Sequence, residues 1–163
     1  MNSINSEPIV LLVYGEGGHE AQMMRLATGL SASNHQKFIA LTDSSKRHAW
    51  CDDYFLVNEV RGKHRSQWFG TVSNVLRIFK QLASIRKQHK VQALISTGPG
   101  LSVIAAVFVK ILCGARIIHV ETWSRFYSRS LTGRVMYWLA DVFYIQNHKL
   151  ASLYPKAVYS GRL

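Results

Sequence analysis

The chain has 163 residues, 48% of them hydrophobic, and a formal net charge of +11. That length and apolar content suit one domain with a real core and exclude a disordered chain. The basic surplus calls for an anionic partner, and nucleic acid, an anionic membrane surface and phosphorylated substrates all fit.

Cys51 and Cys113 lie far apart, and neither has a second cysteine at metal-ligand spacing. A reducing compartment is expected, with no metal site, and Cys113 reads as core packing. Residues 1–7 are largely polar, so no signal peptide is expected. The most apolar stretch, Leu101–Cys113, includes Lys110 and is shorter than the roughly 20 residues a spanning helix needs. The chain can therefore lie on a membrane but is not expected to cross one.

In chain order, Ile9–Tyr14 is a continuous apolar run ending in glycines, as a buried parallel strand should. Glu20–Leu30 has helical spacing, Phe38–Leu41 reads as a second strand and Phe55–Val60 as a third. The basic loop Arg61–Gln67 leads to a helix, Thr71–Gln88. Its apolar face is predicted to carry Val72, Val75, Leu76, Phe79, Leu82 and Ala83. Ala93–Ser96 is a fourth strand, Leu101–Leu112 an apolar helix, and Ile117–Glu121 a fifth strand. Leu131–Ala140 reads as a helix, Val142–Ile145 as a sixth strand and His148–Leu153 as a helical turn. Alternating strands and helices imply an α/β fold with a doubly wound parallel sheet. Ligands in such sheets bind outside the carboxyl ends of the strands. Gly15–His19, Thr97–Gly100, Glu121–Arg125 and Gln146–His148 should meet there.

Gly15-Glu16-Gly17-Gly18-His19 joins a strand to a helix. Glycines permit a sharp turn and close approach of a ligand, and the helix start offers free N–H groups that favour phosphate. A dinucleotide fingerprint would need a third glycine where Glu20 stands, and no Walker lysine follows. His19 is placed to act as a general base or a hydrogen-bond donor. Ser96-Thr97-Gly98-Pro99-Gly100 repeats the arrangement with fewer donors, since Pro99 has no N–H. Glu121 ends a buried strand, where a carboxylate must be paired or functional. Arg125 is its candidate salt-bridge partner. Alternatively, Glu121 deprotonates or orients an acceptor hydroxyl while Arg125 meets a phosphate. His119 is expected to point into the sheet.

Five segments in this order resemble a known family: Gly15–His19, Ser96–Gly100, Val120-Glu121-Thr122-Trp123-Ser124-Arg125, Tyr144-Ile145-Gln146 and Tyr159-Ser160-Gly161. The family is that of the membrane-associated subunit of the split UDP-GlcNAc transferase of asparagine-linked glycosylation, with bacterial relatives in exopolysaccharide and capsule assembly. The resemblance implies a Rossmann-like, MurG-like N-terminal half of a GT-B glycosyltransferase, spanning residues 1–163 as one domain. It implies an inverting transfer, without metal or other cofactor, from a UDP-sugar to a polyprenyl-diphosphate-linked acceptor. A small partner subunit would bind most of the UDP-sugar, docking around residues 154–163. The catalytic candidates are then His19 and Glu121. Gly15, Gly17, Gly18, Thr97, Gly98, Gly100, Ser124 and Arg125 are candidates for the acceptor and its diphosphate. Eukaryotic members typically carry an N-terminal membrane anchor, so a peripheral, bacterial version at the cytoplasmic face is expected.

Two stretches mix basic and aromatic residues as interfacial surfaces do. One contains Arg61, Lys63, Arg65 and Trp68, and the other Arg129, Arg134 and Trp138. No RNP, KH or zinc-finger pattern supports nucleic acid as the partner. A non-catalytic adaptor that anchors a catalytic subunit and presents the lipid acceptor is the alternative.

Overall fold

A computed structural model of the chain describes residues 7–33, 36–57 and 68–163. The first half runs β1 (Pro8–Tyr14), α1 (Gly18–Ser33), β2 (Lys37–Thr42), β3 (Asp53–Leu56) and α2 (Trp68–Gln88). Then come β4 (Lys90–Ser96), α3 (Leu101–Cys113), β5 (Arg116–Val120), α4 (Leu131–Leu139), β6 (Val142–Ile145), a 3-10 turn (His148–Leu150) and β7 (Val158–Tyr159). The described strands form one sheet in the order β3-β2-β1-β4-β5-β6-β7, with every pairing parallel. The strand order reverses direction between β1 and β4, which opens a crevice at their carboxyl ends.

β1 is buried on both faces, which explains its unbroken apolar run. Ile9, Leu11 and Val13 face a core with Ile78, Leu82 and Ile85 of α2, Leu101 and Ala105 of α3, and Met136 of α4. Val10, Leu12 and Tyr14 face the other way, against Met23 and Ala27 of α1. The sheet is thus doubly wound, with α1 on one face and α2, α3 and α4 on the other. α3 ends at Gly114, whose φ of 62° is the left-handed turn that closes a helix.

Three sequence expectations need correction. The core stripe of α2 is Ile78, Leu82 and Ile85, whereas Val72, Leu76 and Phe79 are exposed. Helical positions 78, 82 and 85 follow the same spacing as 72, 76 and 79, so the helix carries two apolar stripes and only one meets the sheet. The third strand occupies Asp53–Leu56, two residues earlier than predicted, and residues 58–60 lie outside those described. β7 was not among the predicted strands, because two exposed residues carry no periodic signal. Arg61, Lys63 and Arg65 lie outside the described residues. Trp68 opens α2. Among the described residues, no helix is long and apolar enough to cross a membrane.

Candidate functional site

A cleft of about 1260 Å³ opens at the carboxyl ends of β1, β4 and β5. Gly15, Gly17, His19, Thr97, Gly98, Gly100, Glu121, Ser124 and Arg125 all line it. Gly18 does not; it opens α1 behind the turn.

The two glycine turns interlock. His19 Nδ1 lies 2.5 Å from the Thr97 carbonyl, and Thr97 Oγ1 donates to the His19 carbonyl at 2.9 Å. A carbonyl only accepts, so Nδ1 carries the proton and Nε2 keeps its lone pair. Burial holds the His19 pKa below the ordinary imidazole value, despite the Thr97 bond and the Glu121 and Asp43 carboxylates, which act the other way. His19 is therefore neutral at pH 7 and able to accept a proton. Gly98 has φ +94°, and a Cβ there would come within 2.6 Å of the His19 ring. A Cβ on Gly15 would come within 2.8 Å of Pro99. These two glycines serve the packing of one turn on the other.

Gly17 caps α1, its carbonyl accepting from Ala21 N at 3.0 Å. Its φ of +78° belongs to the left-handed region. One N–H of the turn is already occupied, since Glu16 donates to Asp43 Oδ1 at 2.7 Å. An anion here relies on the α1 amides beyond Gly17. Glu20, standing where a dinucleotide fold has glycine, turns away to Ser44 and His48, at 2.8 and 3.0 Å.

Glu121 is 2% exposed and lies one residue past β5. Its partner is not Arg125, whose guanidinium donates to Ser128 at 3.2 Å. Instead the carboxylate accepts from Ser130 Oγ at 3.0 Å, Tyr154 OH at 2.9 Å and the Thr122 amide at 3.2 Å. Burial and the adjacent carboxylate push the Tyr154 phenol upward, so it stays a donor. Ser130 also caps α4, accepting from Gly133 N at 2.7 Å. A Cβ on Gly133 would collide with Glu121 Oε2. The acid is thus seated in a cradle of neutral donors.

Sequence reasoning missed this cradle. Ser130 carried an N-cap signal, but its aim at Glu121 depends on the fold. Tyr154, expected to open a docking tail, is fully buried. Leu163 is anchored by its N–H to Gln146 Oε1 at 3.0 Å and by its carbonyl to Arg25 at 2.8 Å. Asp43 was also missed. His119, expected to point into the sheet, packs on Phe143 yet also lines the cleft.

Of the described membrane candidates, Trp138 is 81% exposed, and Arg134 is exposed beside it on α4. Arg129 lies over the Tyr154 ring at 5.6 Å. Leu131, Val135 and Trp138 form an exposed apolar stripe that starts at the cleft rim.

The family model described as oligosaccharide biosynthesis protein Alg14 like matches residues 10–163. The rat UDP-N-acetylglucosamine transferase subunit ALG14 is 27% identical, covering 94% of this chain and 82% of its own length. The Debaryomyces hansenii subunit of the same name is 25% identical, covering 94% and 75%. Among solved structures, Acinetobacter baumannii MurG matches with a TM-score of 0.63 at 12% identity, over 96% of this chain and 44% of MurG. Staphylococcus aureus MnaA with UDP matches with a TM-score of 0.68 at 14% identity, over 94% and 44%. The chain spans less than half of either structure and has the fold of one Rossmann-like half of the GT-B architecture. With its glycine turns, cleft and matching residues in place, it belongs to the Alg14-like family of oligosaccharide biosynthesis proteins.

Proposed function

We propose that this chain is the acceptor-side subunit of a two-component inverting glycosyltransferase, active only with a small donor-binding partner. The reaction moves a sugar from a UDP-sugar to a polyprenyl-diphosphate-linked acceptor, in exopolysaccharide, capsule or lipid-linked oligosaccharide assembly. The relatives' names make UDP-N-acetylglucosamine the first donor to test. The observation that carries the reading is His19: a neutral imidazole with its tautomer fixed and no bond to Nε2 among the described residues, on a cleft shared with a buried carboxylate.

In this mechanism Nε2 of His19 takes the proton of the acceptor hydroxyl as its oxygen attacks the anomeric carbon. The bond to UDP breaks, and UDP leaves with the electron pair. A positioned base of this kind contributes about 10²–10⁴-fold. Glu121, already accepting from three donors, orients the acceptor and stabilises the imidazolium. The diphosphate lies against the α1 and α3 starts, with Gly17 and Gly100, and meets Arg125 and Ser124 at the rim. The α4 stripe with Arg129 and Arg134 rests on an anionic membrane at the cytoplasmic face, so that the lipid-linked acceptor enters past Leu131. Residues 155–163, including β7, dock the partner.

The full engagement of Glu121 by donors also suits the adaptor reading, in which this subunit presents the acceptor and does no chemistry. Assays of His19→Ala and Glu121→Ala in the reconstituted complex separate the two. Turnover lost with partner and lipid binding intact supports catalysis. Turnover retained in His19→Ala supports the adaptor.

A further inference from the structure

The second histidine of the cleft, His119, has no role in the mechanism above. It is 1% exposed, stands on β5 two residues before Glu121, and packs its ring on Phe143 with centroids 5.1 Å apart. Its Nδ1 lies 3.2 Å from Ser96 Oγ. That oxygen already accepts from Gly98 N at 3.2 Å. The Ser96 hydroxyl proton needs an acceptor of its own, and among the described residues the acceptor within reach is His119 Nδ1. The Ser96 hydroxyl therefore donates to Nδ1, and the His119 proton sits on Nε2, on a ring that lines the cleft. His19 has the reverse polarity: its proton is on Nδ1, committed to Thr97, and its Nε2 accepts.

We infer that His19 and His119 form a matched acceptor–donor pair of neutral imidazoles, and that His119 Nε2–H binds a hydroxyl or carbonyl oxygen of the acceptor sugar. Both rings line one cleft and are close enough for the charge on one to disfavour charge on the other. Burial and that proximity drive the His119 pKa down to about 3. An uncharged donor suits a sugar oxygen better than a phosphate, whose binding gains from positive charge. The charged residues of the cleft are the Glu16, Asp43 and Glu121 carboxylates and Arg125, and with Glu121 and Asp43 acting on the pair this part of the cleft is unsuited to an anion. The sugar then sits on the floor between the imidazoles and the diphosphate stays at the rim. The inference rests on the cleft being the acceptor site, and it adds a sugar-binding residue to it.

Long-range nitrogen–proton NMR of the 15N-labelled chain tests the tautomers without any partner. His119 should be the Nε2–H form and His19 the Nδ1–H form, with His119 unprotonated from pH 5 to 8. Adding N-acetylglucosamine should shift the His119 ring signals, whereas inorganic diphosphate should shift the Gly17 and Gly100 amides. A His119 proton on Nδ1, or a ring that ignores the sugar, overturns the inference. In the reconstituted complex, with farnesyl-diphosphate-linked N-acetylglucosamine as acceptor, His119→Phe keeps the packing on Phe143. It should raise acceptor KM about tenfold with kcat and donor KM unchanged, and His119→Gln, which restores a donor, should recover most of the loss. Equal KM values for wild type and His119→Phe also overturn it. A wild-type complex that transfers no sugar fails the functional reading, while the NMR result still decides the tautomers.

Discussion

At the scale of single residues, the two cleft histidines link stability to pH. Unfolded, the His119 imidazole takes a proton near 6.5; folded, it resists until about 3. Between those values the unfolded chain binds more protons, so stability rises with pH. The stability that rests on neutral His119 is complete above pH 6.5 and declines as the solution is acidified toward pH 3. Denaturant titrations from pH 7 to 5 should show a shallower slope for His119→Phe than for wild type; parallel slopes would contradict this burial. Gly98→Ala places a side chain at φ +94° and against the His19 ring. It should cost about 1–3 kcal/mol in chemical denaturation and disable His19 even in complexes that fold. The glycines of both turns were legible as turn residues in the sequence. Their second use, the interlocking of turns 78 residues apart, depends on the adjacency of β1 and β4.

At the scale of elements, α4 carries two tasks on opposite sides. Its first turn is pinned to Glu121 through Ser130 and Gly133, while Leu131, Val135 and Trp138 face solvent. Tyr154→Phe removes a buried bond to a carboxylate and should lower stability by about 1.5–3 kcal/mol in thermal or urea unfolding. An unchanged midpoint would show that the bond contributes nothing. The exposed stripe gives a separate test. Arg129→Glu, Arg134→Glu and Trp138→Ser together should abolish flotation with phosphatidylglycerol-containing vesicles, each basic contact being worth about 1 kcal/mol near anionic lipid. Unchanged flotation would remove α4 from the membrane surface. The helix itself was legible from its periodicity. The cradle was not, because its members come from residues 121, 130, 133 and 154 and meet only through tertiary packing. α2 misled the reading for a related reason: two equally spaced apolar stripes compete, and the sheet selects one.

At the scale of the whole molecule, the alternation of apolar runs and glycine turns was enough to predict a doubly wound parallel sheet; of the four segments expected to meet at its carboxyl rim, Gly15–His19, Thr97–Gly100 and Glu121–Arg125 contribute to the cleft and Gln146–His148 does not. Buried parallel strands leave that signature because both faces are covered. Short exposed strands such as β7 leave none. The cleft lies where the strand order reverses, between a glycine turn suited to an anion and a floor of neutral imidazoles beside a carboxylate. The same rim meets the exposed stripe of α4 at Leu131 and is lined by Leu56 and Val57 as well.

The central claim is that His19, neutral and held by Thr97, removes the proton from the acceptor hydroxyl. The most direct measurement is the pH dependence of kcat/KM for the lipid acceptor in the reconstituted complex, wild type against His19→Ala. The account expects wild-type activity to hold through neutral pH and to fall only below the ordinary imidazole range, in line with the lowered pKa of His19. The variant should be slower by about 10²–10⁴-fold and should lack that acidic limb. A variant with wild-type rates and the same limb would contradict it.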